Sequence, residues 1–372
     1  MNAKFRCRLF FFIAFVCSSA SAAYAQKINS VHKPSEFEYW LTLKEAQNAY
    51  ESGDFGEALR RAETAKRQRR DVSVWEGYVL DQTQKNARVR KSGDFIDDLL
   101  PVLKEKEYND AIAVINKHVE LRGKDFFHGR FSEIQKWVAE DYRYPEADFI
   151  IGKIYRLEGE NAFAQQYLDA VCENFNRLDI PDMRYDILYE MADLAKDQND
   201  MEGYEKNLNL ILKDDELYRD DRFMEALLRQ INLNTAVAVE KFFLLYRSYN
   251  DISIRALEEL GQYYTKIGKP DKALRCVALG SIASVTKIEE ILKDRLIDYT
   301  YVSFPDLLTK ASQYDDILVW GNENRIWEMF YEFARTAEGQ NKLLFSQTLF
   351  SLLAKYEPEP YWRKEAEFCI RQ

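Results

Sequence analysis

Glycine and proline are scarce in this chain, with 14 and 8 among 372 residues, roughly half the usual combined share of about 12%. So few backbone breakers exclude collagen-like, linker-like and many-turned all-β architectures, which depend on them. Cysteine is sparse as well. Of five in the sequence, only Cys172, Cys276 and Cys369 lie beyond Ala25. They are widely spaced and odd in number, which excludes a disulfide framework. Only three histidines occur. His32 stands near the N-terminus, and the spacing of His118 and His128 does not align them on one helix face. No zinc ligand set results, and His118 reads as a surface or boundary residue. Also missing are G-x-G-x-x-G, the Walker loop, G-x-S-x-G, H-E-x-x-H, C-x-x-C and the calcium-loop spacing, so no cofactor or metal is expected.

What is abundant is apolar and aromatic: 47% hydrophobic and 14% aromatic residues exclude a disordered chain. The segment Met1–Ala25 reads as a secretory signal peptide. Lys4, Arg6 and Arg8 precede an apolar run from Leu9 to Cys17, and Ala23-Tyr24-Ala25 matches the signal-peptidase pattern. The run is shorter than the ~20 residues a membrane span needs, and no later stretch is long enough. Lipidation at Cys17 is the lesser reading, because Val16 is large where a lipobox has a small residue. The expected location is therefore the periplasm or cell envelope of a bacterium.

Residues 26–38, with Pro34 and no periodicity, read as a tether. From Tyr39 onward apolar residues recur every three or four positions, as in Ala111, Ile112, Ile115 and Val119, which predicts helices of roughly 10–18 residues throughout. A core rarely grows past about 250–300 residues, so a chain of this length requires domains or a linear array. A repeated spacing favours the array. Gly152, Gly159 and Ala164 place a small residue, a glycine seven later and a second small residue twelve later. Gly261, Gly268 and Ala273 repeat this order, as do Ala46, Gly53 and Ala58. Weaker copies start at Ala192, with Asn199 at the turn and Tyr204 at the second small position, and at Ala226 with Ala238. In that last copy Leu233 occupies the turn. Small residues let two antiparallel helices cross closely, and the turn position demands a left-handed backbone.

This spacing resembles the tetratricopeptide repeat, a helix–turn–helix unit of about 34 residues. The resemblance implies an all-α fold, an α-solenoid coiled as a right-handed superhelix. It covers residues 39–72 and 146–283 well. The expected layout is a helical region at 39–145, a core array at 146–283 and a divergent C-terminal region or cap at 284–372. Within 39–145, one unit surrounds Tyr108 and Ala111, and extra helices are inserted near Val72–Arg90 and Phe131–Tyr142.

Charge is uneven. The formal charge is −10 and becomes −13 without the Met1–Ala25 segment, yet residues 39–91 carry a net +3. Arg60, Arg61, Lys66, Arg67, Arg69 and Arg70, followed by Lys85, Arg88, Arg90 and Lys91, form a basic stretch. It reads either as an attractor of anionic partners or as solvated helix surface whose cations suit a helix C-terminus. Nucleic acid is excluded as a partner for an acidic exported chain.

The resemblance implies a concave wall lined by the first helix of each pair, suited to a protein or peptide partner. Transferred unit by unit, its wall positions are Phe149, Lys153 and Arg156, then Tyr189, Asp193 and Lys196, then Glu258, Gln262 and Lys266. The leading expectation is a non-enzymatic scaffold for protein assembly. A ligand-binding accessory protein of a solute transporter is the alternative, with an apolar cavity as its mark. An α-helical hydrolase is the third, and would need two carboxylates about 5–10 Å apart in one cleft.

Overall fold

The computed structural model describes residues 31–35, 37–88, 95–127, 131–245 and 251–371. The signal-peptide reading, Cys17, His128, Arg90 and Lys91 lie outside them. Among the described residues the fold is all-α, with no strand, and no helix is long and apolar enough to cross a membrane. The chain divides into two compact units, Met1–Arg184 and Tyr185–Gln372. The division falls within the 146–283 segment that the spacing groups as one array.

The first unit contains α1 (Tyr39–Glu51), α2 (Phe55–Asn86), α3 (Phe95–Glu105), α4 (Asn109–Arg122), α5 (Phe131–Glu140), α6 (Pro145–Leu157) and α7 (Asn161–Cys172). Hairpins α1–α2 and α6–α7 pack directly against each other, although α3 to α5 separate them in sequence. Their shared core joins Ala46, Ala58, Ala62 and Ala65 to Ala147, Ile150, Ile151 and Ile154. The expected extra helix at Val72–Arg90 is not a separate element. With no proline between Phe55 and Asn86, α2 continues for 32 residues, well beyond the anticipated length. Its distal half, through Leu80, shares a second core with Leu99, Leu103, Ile115, Phe127 and Val138. The inserted helix at Phe131–Tyr142 is present as α5.

A buried cation ties this unit together. Arg69, midway along α2, is 1% exposed. It donates to Asp179 at 2.7 Å, to the Asp141 carboxylate at 3.3 Å and to the Asp141 carbonyl at 3.2 Å. Its guanidinium also lies 4.6 Å from the Tyr144 ring centroid. Burial alone would lower its pKa; Asp179 and Asp141 more than reverse that and hold it raised. Arg122 adds bonds to the carbonyls of Asn176 and Leu178, so the segment after α7 is clamped from two helices.

The second unit contains α8 (Met183–Asp197), whose first two residues precede the division, and α9 (Met201–Lys213). It continues with α10 (Asp221–Leu233), α11 (Ala236–Phe243), α12 (Ile254–Lys266), α13 (Pro270–Arg295), α14 (Phe304–Ala311) and α15 (Asp315–Glu323). The last three helices are α16 (Ile326–Gly339), α17 (Leu343–Tyr356) and α18 (Pro360–Arg371). Helix α13 is buried on nearly every side from Cys276 to Thr286, as expected of a helix apolar all round. It packs against α12, α16, α14 and α10, while α9 packs against α12. Hairpin α10–α11 does not insert between α8–α9 and α12–α13, despite its place in the sequence register. It rests on α13 and α17 instead.

Among the described residues one turn recurs in six hairpins, with Glu107 at φ 56° in the α3–α4 hairpin and glycine or asparagine in the other five. Gly53, Gly159, Asn199, Gly268 and Asn341 have φ between 58° and 81°. In each, the turn residue's N–H reaches the carbonyl three residues back, and the next N–H reaches five back. Both hydrogen bonds close only if that residue is left-handed, which glycine and asparagine adopt most cheaply. Ala46, Gly152, Ala192, Gly261 and Ala334, each seven residues earlier, are buried, as are Ala58, Ala164, Tyr204, Ala273 and Ser346 five residues later. A Cβ on Gly261 would lie 2.7 Å from Val277 Cγ1, so the α12–α13 crossing requires the bare backbone. Two expectations need correction. Ala226 is only half-buried and Leu227 is the core residue. The left-handed residue there is Asn234, at φ 47°, not the exposed Leu233, because asparagine tolerates that conformation better than leucine. The spacing also does not end near Ser284: Ala334, Asn341 and Ser346 repeat it, and Ser346 Oγ donates to the Ala334 carbonyl at 2.8 Å.

Candidate functional site

Three first helices of the second unit meet side by side through polar side chains. Between α8 and α12, Arg255 donates to Asp193 at 2.7 Å and to Glu259 at 2.7 Å. Tyr204 of α9 donates to the other Glu259 oxygen at 2.8 Å. Between α12 and α16, Gln262 donates to Glu258 at 2.6 Å and to Glu328 at 3.0 Å. Arg325 lies 3.1 Å from Glu258 and 2.7 Å from Glu328. Arg325 holds a left-handed backbone at φ 53° immediately before α16, which places its guanidinium between the two helices.

Each wall position transferred from the resemblance can now be located. Asp193 and Gln262 are half-buried members of this network, and Lys196 and Lys266 are exposed beside it. Glu258 is 4% exposed and belongs to the base of the network rather than to its surface. Burial pushes its carboxyl up to about 7, partly offset by Arg325. Tyr189 is also buried. Its hydroxyl accepts from Ala256 N–H at 3.0 Å and donates to the Ile252 carbonyl, so it fastens α8 to α12 and offers nothing to a partner. In the first unit, Lys153 lies 4.2 Å from the Tyr50 ring centroid and 4.7 Å from that of Phe149, which is itself buried. Arg156 is half-buried.

The residues that complete the network, Arg255, Glu259, Arg325 and Glu328, were not among those the sequence singled out. Arg255 and Glu259 were within reach, since they lie three and four positions from neighbours on the same helix face. Arg325 and Glu328 follow a stretch where no glycine marks the turn. Glu258 and Glu328 are carboxylates close enough to share partners, the Gln262 amide and the Arg325 guanidinium bridging them.

Other anticipated features resolve differently. His118 is 2% exposed, a correction to its surface assignment. It faces Glu76, with Nε2 3.5 Å from the carboxylate, between the Phe126 and Trp137 rings. The basic stretch is largely internally paired. Arg60 and Arg61 bond Glu57, Lys66 lies 2.8 Å from Asp148, and Lys85 pairs with Asp81. Arg69 is buried, while Arg60, Arg67, Arg70, Lys85 and Arg88 stay exposed. Cys276 is buried and Cys172 half-buried, both as free thiols. Among the described residues no group of three or more His, Cys, Asp or Glu could hold a metal ion.

No family model matches this chain. Over 299 residues it is 30% identical to an uncharacterized protein of Treponema pallidum (strain Nichols), and the alignment covers 79% of each chain. The chain belongs to the same family as that treponemal protein.

Proposed function

We propose that this protein is an exported, non-enzymatic helical scaffold of tetratricopeptide type that holds a protein partner in the bacterial cell envelope. The observation that carries the reading is the cross-braced polar face of α8, α12 and α16. Its side chains are already fixed by ion pairs and amide bonds, so little rotamer entropy remains to be lost when a partner docks. Exposed Lys196, Lys266 and Arg335 stand around that braced centre and can discriminate among partners by charge. The signal-like Met1–Ala25 segment supports export.

The test is affinity capture from an envelope extract, comparing the chain from Gln26 onward with a Lys196→Glu, Lys266→Glu, Arg335→Glu variant of equal thermal stability. A protein enriched by the parent and lost with the variant is the expected result. Equal capture by both moves the interface elsewhere. If no protein is captured and a small metabolite raises the melting temperature, the transporter-accessory reading replaces this one.

A further inference from the structure

The distal half of α2 borders an open groove of about 440 Å³ that the repeat pattern does not explain. Trp75, Tyr78, Gln82 and Asn86 form one wall, and the α3–α4 turn with Tyr108, Asn109 and Asp110 forms the other. From Trp75 to Asn86 the helix rises about 16 Å, at roughly 1.5 Å per residue. Trp75 and Tyr78 lie ring beside ring, with centroids 5.7 Å apart and planes tilted by 33°. Asn86 and Asn109 are exposed amides, and Glu107 and Asp110 place negative charge at the rim.

We propose that this groove binds an extended, proline-rich segment of a partner protein in polyproline II conformation, with a lysine or arginine at its Asp110 end. Four observations favour that occupant. First, a polyproline II chain rises about 3.1 Å per residue, so about five residues span the groove. Second, its carbonyls have no internal partners and suit donors such as the Trp75 indole N–H and the amides of Gln82, Asn86 and Asn109. Third, flat proline rings dock against paired aromatic side chains, the common mode of recognition for such segments. Fourth, the chain itself supplies a precedent at the rim. Lys33, followed by Pro34 in non-helical backbone, lies 3.0 Å from Asp110. Both side chains of that pair are 53% exposed, so it is weak and readily exchanged for a partner's cation. An α-helix would fit poorly, since its backbone groups are already paired and the groove offers no continuous apolar stripe.

The site is independent of the α8–α12–α16 face, and its test does not involve that face. The chain from Gln26 onward is titrated with a fluorescein-labelled ten-residue peptide of prolines and lysines, read by anisotropy. Saturable binding in the micromolar range is expected. Tyr78→Ala, at a side chain 40% exposed, should weaken it at least fivefold at unchanged melting temperature. Trp75→Ala should do the same, and Asp110→Asn should weaken the lysine-bearing peptide but not a lysine-free polyproline. The proposal fails if wild type shows no saturable binding up to millimolar peptide, or if Tyr78→Ala and Trp75→Ala bind as wild type. It also fails if a glycine–serine peptide with the same lysines binds equally well, or if a chito-oligosaccharide binds there and displaces the peptide.

Discussion

Glu258 shows how one buried side chain gives the second unit a pH dependence. Its carboxyl is raised from 4.5 to about 7 by burial, against the pull of Arg325. A raised native pKa means that the folded state binds the proton more tightly. The resulting stability is fully present below pH 4.5 and is lost as pH rises through 7. At about 1.36 kcal/mol per pKa unit, the loss is about 3 kcal/mol. The melting temperature of the native protein should fall between pH 5 and 8, and Glu258→Gln should flatten that slope. An unchanged slope in the variant would place the titration elsewhere. The sequence placed Glu258 on a first-helix face. It could not show that the carboxyl would lie beneath Arg325, because that partner comes from a distant part of the chain and no local pattern links the two.

At the scale of elements, two asparagines with the same backbone do different work. Asn341 and Asn234 are both left-handed, at φ 59° and 47°. Asn341 serves the turn between α16 and α17. The Asn234 side chain accepts from Leu344 N–H at 2.9 Å and Phe345 N–H at 3.2 Å, so it caps α17 from a distant hairpin. Asn341→Gly should be neutral or slightly stabilising, since glycine costs nothing at positive φ. Asn234→Gly keeps the backbone but removes the cap, and should lower stability by about 1 kcal/mol. Equal effects in urea unfolding would refute the distinction. The Asn341 turn was legible in principle: Ala334, Asn341 and Ser346 keep the seven- and five-residue steps once asparagine and serine may replace glycine and alanine. The length of α2 was less so, because charge clusters around residues 60–70 look like a surface terminus and only the fold reveals Arg69 inside.

At the scale of the molecule, each unit has its own core, and Arg69 belongs wholly to the first. Arg69→Met leaves the half-buried Asp179 without its guanidinium and the buried Asp141 with Arg177 alone, and removing one partner of such a buried charge network costs about 3–5 kcal/mol. Hydrogen exchange should accelerate in residues 55–86 and 131–157 and stay unchanged in residues 254–339. Acceleration in both regions would show that the two cores unfold together.

The sequence by itself determined that the chain is helical and where its tightest hairpins turn. Glycine and proline scarcity, three- and four-residue periodicity and the small–turn–small spacing act within a few residues, where local backbone energetics decide. Which hairpins lie side by side was decided by tertiary structure alone. Packing of α1–α2 on α6–α7, the displacement of α10–α11 onto α13 and α17, and the meeting of Arg325 with Glu258 join residues far apart in the chain. Sequence order suggests a stack in series, but a hairpin settles where its apolar face finds complementary volume. That depends on every other element already packed there.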